Sequence, residues 1–140
     1  MSPARQKQAR LVRILAVRKA TLRAAEAHLS GASAQAIAAE ARVGTVQALI
    51  STAATPSGET VLSALRGAAT LRHILRPALE AATHRARETA NAKAIAATRL
   101  ADADARHDRS SRDCAKARAT SEREAEEREG DDRIPTRRPR

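Results

Sequence analysis

The chain contains no phenylalanine, tyrosine or tryptophan. Aromatic side chains are the largest contributors to globular cores. Their absence argues against a compact globule with a thick interior. It also removes base stacking on aromatic rings as a source of affinity for nucleic acid. A single cysteine, Cys114, excludes an intramolecular disulfide and fits a reducing cytosol. Glycine and proline number only five each in 140 residues, and good helix formers dominate. No apolar run approaches the roughly 20 residues that a membrane-spanning helix needs. The opening stretch MSPARQKQARLVRILAVRKA lacks the uninterrupted apolar core of a secretory signal. It is Arg-rich, Ala-rich and acid-poor, as an organellar transit peptide is, but the same residues continue a longer pattern.

Reaction chemistry is also missing. There is no GxxxxGK[ST] or GxGxxG to cradle phosphate, and no HExxH or CxxC to hold a metal. No catalytic residue, cofactor or metal is expected. His107 and Cys114 are seven apart and share a helix face, but a catalytic thiol needs an electropositive cleft and a base. They read as seam or part-exposed residues. His73 and His84, eleven apart, are not spaced as metal ligands.

What is present is heptad periodicity. Leu11, Leu15, Arg18, Leu22, Ala25, Leu29, Ala32, Ala36, Ala39, Val43, Val46, Ile50 and Ala53 alternate in steps of four and three, and twelve of these thirteen are apolar. Ile14, Ile37 and Leu49 widen the stripe. The spacing predicts one helix over 4–54, roughly 75 Å long at 1.5 Å per residue. Its many alanines imply close helix–helix approach. Thr55-Pro56-Ser57-Gly58-Glu59-Thr60 then supplies turn chemistry, and predicts a bend over 55–60.

A second stripe starts at Val61, Leu65, Ala68, Arg72, Leu75, Leu79, Ala82 and Ala86. It continues through Thr89, Lys93, Ala96, Leu100, Ala103, His107, Ser110, Cys114 and Ala117. This predicts a helix over 61–129, kinked or broken near Pro77, with 60–76 as a candidate separate short helix. Residues 130–140 have two prolines and no periodicity, and read as a disordered tail. Because a short connection makes neighbouring helices antiparallel, the expected fold is all-α: an antiparallel two-helix coiled-coil hairpin over 1–129.

The net charge of +10 is unevenly spread: residues 1–55 carry eight bases against two acids, whereas residues 101–140 carry eleven of each. The alternating charges at 101–132 predict a solvated face with i,i+4 pairs such as Asp102–Arg106 and Asp108–Arg112. The basic stretch, Arg5 to Arg23, favours acidic partners. Arg18 sits at an apolar-seam position, either snorkelling to water or acting in register or partner contact.

The stretch Leu11-Val12-Arg13-Ile14-Leu15-Ala16-Val17-Arg18 resembles the Leu-x-x-Leu-Leu-x-Leu-Arg segment of the FliJ family of flagellar export coiled-coil proteins, and Ala25 and Leu29 continue its Ala/Leu pattern. The break after about 50 residues and the long charged second helix match in layout. The chain departs from the family in lacking an aromatic in its middle segment. The resemblance implies a cytoplasmic component of the type III export apparatus, peripheral to the inner membrane where it meets that apparatus. It implies docking in the export ATPase ring, contact with a membrane export-gate protein and the escort of export chaperones. Arg13, Arg18, Lys19 and Arg23 crowd the best-matched stretch and are the candidate partner-binding residues. The alternatives are a basic helical nucleic-acid-associated protein, disfavoured by the missing aromatics, and a general coiled-coil scaffold.

Overall fold

The computed structural model describes residues 3–54 and 62–132, and among them only α-helix occurs. Helix α1 spans Pro3–Ala54 and helix α2 spans Leu62–Asp132. Proline opens α1 at no cost, because the first backbone donors of a helix have no partner within it. The turn expected over 55–60 lies outside the described residues. So does the expected disordered tail, apart from Gly130, Asp131 and Asp132, which belong to α2.

The two long helices pack on each other as an antiparallel pair. Packing divides the chain into two compact units, each containing part of both helices. In unit 1, residues 3–25 of α1 lie with residues 100–132 of α2. In unit 2, residues 26–54 lie with residues 62–99. The start of one helix thus meets the end of the other.

Burial follows the heptads. All thirteen positions of the first stripe are buried or partly buried. On α2 the stripe holds from Ala68 and Leu75 through Ala117, and runs on to Ser121 and Glu124. The buried apolar residues are all alanines: Ala36, Ala39, Ala82, Ala96, Ala103 and Ala117. A seam of this kind gains from backbone proximity and dispersion rather than from large side chains.

Several expectations are corrected. Ile37 and Leu49 do not widen the seam, being 66% and 51% exposed. The thin alanine seam covers only what points straight at the other helix. Arg72 and Lys93 fall at heptad positions yet are exposed, because long cationic side chains swing out to water. Leu65 is also exposed, and Val61 lies outside the described residues. The break near Pro77 is absent, since α2 runs through it, and 60–76 does not form a separate helix. Pro77 is exposed, so water can reach the carbonyl its missing N–H would have engaged, while Leu75 and Leu79 anchor α2 on either side.

The pairs Asp102–Arg106 and Asp108–Arg112 do not form within ion-pair distance. Among the described residues the i,i+4 pairs that do form are Arg76–Glu80, His84–Glu88, Arg118–Glu122 and Glu124–Arg128, at 2.7–3.9 Å. Every one uses glutamate. The aspartate carboxylate is one methylene shorter and does not span a helical turn as readily.

Two threonines of the seam satisfy themselves. Thr89, only 4% exposed, donates from its hydroxyl to the carbonyls of Arg85 and Ala86, both at 3.0 Å. Thr83 donates likewise to the Leu79 carbonyl at 2.8 Å. A small hydroxyl that closes onto its own helix enters the seam without leaving an orphaned group.

Candidate protein-interaction surface

The basic stretch occupies the α1 part of unit 1. Residues 3–25 contain seven arginines and lysines and no acid. Heptad phase sets where each cation points. Lys19 and Arg23 are one turn apart, both exposed, and form one edge of the helix. Arg13 is also exposed, on the side away from the seam. Arg18 is partly buried at the seam itself, as its heptad position requires. The structure therefore brings Lys19 and Arg23 together, and sets Arg13 and Arg18 on other faces. None of the four takes part in an ion pair among the described residues. Six ion pairs lie within α2.

Unit 1 also holds a counter-charge. Residues 101–132 carry eleven acids against seven bases. Each helix end in this unit opposes its own dipole. Arg5 and Lys7 lie near the positive N-terminus of α1, and Glu129 and Asp131 near the negative C-terminus of α2. Antiparallel packing places the basic start in the same unit as the acidic end. An acidic partner of the basic face must compete with this internal acid.

Within α2 the shortest of the side-chain contacts joins Arg118 Nε to Glu122 Oε1 at 2.7 Å. The hydrogen bond, with the carboxylate's charge behind it, raises the Arg118 pKa. His107 and Cys114 are both partly buried on the seam. His107 meets the adjacent Asp108 at 3.6 Å, and Cys114 is a free thiol. No group of three or more His, Cys, Asp or Glu side chains among the described residues is placed to hold a metal ion. Among those residues, too, no helix is long and apolar enough to cross a membrane.

Sequence reasoning missed one feature. In unit 2 a groove of about 670 Å³ runs between the helices. Ala38, Arg42 and Val46 of α1 form one wall, and Ala78, Ala81 and Arg85 of α2 form the other. The spacing was readable on each helix, but the groove depends on the phase of both together. Comparison with protein-family models, with curated proteins and with solved structures yields no match.

Proposed function

We propose that this chain is a non-enzymatic helical protein that works by docking its basic α1 stretch on an acidic surface of a partner protein. The observation that carries this reading is the set Arg13, Arg18, Lys19 and Arg23. These cations stand on a helix held in place by its neighbour, with no ion pair among the described residues. Arg13, Lys19 and Arg23 are exposed and Arg18 is partly buried, and exposed cations on an ordered helix favour steering and docking on a surface of opposite sign.

The resemblance of Leu11–Arg18 to the FliJ segment supports a more particular reading: a coiled-coil component of the flagellar type III export apparatus. Its partners are then the export ATPase ring and the membrane export gate, with export chaperones as passengers.

The test is a pull-down of the purified chain against a flagellar export ATPase. Retention that weakens as salt rises, and that Lys19→Glu with Arg23→Glu abolishes, supports the reading, because exposed charges are screened over about 8–10 Å near physiological ionic strength. Retention by the charge-reversed protein removes the basic face from the mechanism. No retention of the wild type, together with salt-sensitive DNA binding, replaces the reading with nucleic-acid association, which the net charge of +10 also favours.

A further inference from the structure

The groove of unit 2 continues beyond its walls. Leu49 follows Arg42 by seven residues, Leu71 precedes Ala78 by seven, and Ile74 precedes Ala81 by seven. Seven residues are close to two helical turns, so each extends the same face. These three are among the exposed large apolar residues, at 51%, 45% and 62%. Antiparallel packing puts the end of α1 beside the start of α2, so all three lie towards the same end of the groove. The floor is buried alanine, Ala39 and Ala82. The result is an open trough with small residues along its length and larger apolar residues at one end. From Gln35 to Leu49 it runs roughly 20 Å at 1.5 Å per residue, or about four turns of a docked helix.

The charge around the trough selects its occupant. Arg42 and Arg85 line the two walls. Of the described acids of unit 2, Glu26, Glu40 and Glu80 fall on other faces by the 100° step of the helix. Glu88 alone stands beside the trough, meeting Arg85 at 3.7 Å in an exposed pair. Such a pair is weak enough to exchange partners. A second copy of this chain laid face to face would bring four of these arginines to one interface against two glutamates, and like charges disfavour that pairing.

We propose that this trough is a docking site for an acidic amphipathic helix of another protein. The helix seats its apolar face on Leu49, Leu71, Ile74 and the alanine floor, with carboxylates along its flanks meeting Arg42 and Arg85. This is helix-in-groove recognition. It is independent of the basic stretch of α1, which lies in the other unit.

The test uses the full chain and a fluorescent probe peptide of about three heptads, with Leu at the two seam positions, Glu at the flanking positions and Ala elsewhere. Glutamate at both flanks prevents the probe from pairing with itself. A twin with Lys in place of Glu is the control. The acidic probe is expected to bind, with the Lys twin at least about tenfold weaker. Ile74→Asp and Arg42→Glu should each weaken the acidic probe by about tenfold, as loss of an interface anchor does. Both residues are exposed, so circular dichroism should be unchanged. Lys19→Glu with Arg23→Glu should leave probe affinity as it is. Any of three results overturns the proposal: an acidic probe that binds no better than its twin or not at all; affinity that depends on Lys19 and Arg23 instead of Ile74 and Arg42; or a wild-type dimer in sedimentation that Ile74→Asp dissociates, which would make a second copy the occupant.

Discussion

The Thr89 hydroxyl reaches back one turn to the Arg85 carbonyl at 3.0 Å, and so a polar side chain sits in the seam of unit 2 with its donor satisfied by its own helix. Both carbonyls it touches also accept the regular helical N–H bonds, so losing the hydroxyl orphans nothing. Thr89→Val should change stability by less than about 1 kcal/mol, whereas Thr89→Asp, which puts a charge at a buried position, should cost about 2 kcal/mol or more. Thermal melts of the two variants check this. Similar losses in both would show that the hydroxyl serves as a tie between helices.

Leu22 is a large residue on a seam otherwise rich in alanine, and it is partly buried. Leu22→Ala should cost about 1–2 kcal/mol, below the 2–5 typical of a closed core, because part of its surface already meets water. Arg106→Ala on the exposed face should cost under about 0.5 kcal/mol. Urea denaturation separates them, and equal costs would mean that the seam is misassigned.

Pro77 stands in an unbroken helix. Restoring the missing backbone donor with Pro77→Ala should raise stability by about 1–3 kcal/mol. Increased ellipticity and a higher melting temperature are the expected readouts. A lower melting temperature would show that the proline shapes a packing contact on which the helix depends.

Gly44 and Gly67 are both helical, and a methyl group added at either meets nothing within 4 Å. Gly44→Ala and Gly67→Ala should each stabilise by about 0.5–1 kcal/mol, since alanine restricts the unfolded chain and favours helix. The two sites are independent enough to add. A double variant no more stable than the wild type would contradict a continuous helix at these points.

On the basic face, geometry ranks the cations. Lys19 and Arg23 share an edge, so Lys19→Glu with Arg23→Glu should weaken binding to an acidic partner by more than Arg13→Glu with Arg23→Glu does. Affinities at two salt concentrations, with helicity monitored, test the ranking. Equal losses from both pairs would mean that charge alone, not its placement, governs the contact.

The first stripe was fully legible from Leu11 to Ala53, because a long run of four-three spacing leaves one consistent face. The second was legible where its seam residues were small or apolar, and less so at Arg72 and Lys93, whose length lets them leave the seam. Ile37 and Leu49 were misplaced for one reason. Size and apolarity suggest burial, but the seam of a two-helix pair is too narrow to cover a neighbour one step round the helix. The candidate cations were equally plain in the sequence, since they require only a count. The trough beside Arg42 and Arg85 was not, since it exists only when two distant stretches are set in phase.

The alanine seam has one more consequence. Thr45, Thr83, Thr89 and Thr98 all donate within their own helices, so these hydroxyl donors do not hold one helix to the other. Alanine surfaces are nearly smooth, but a slip of one heptad in unit 2 would bring Val43 and Val46 to the places of Ala36 and Ala39, or Leu75 and Leu79 to those of Ala82 and Ala86. The alignment of the helices there is therefore set by a few bulky stops, Val43, Val46, Leu75 and Leu79, at one end. The middle of unit 2 behaves as a bearing surface, and those four residues as its detent.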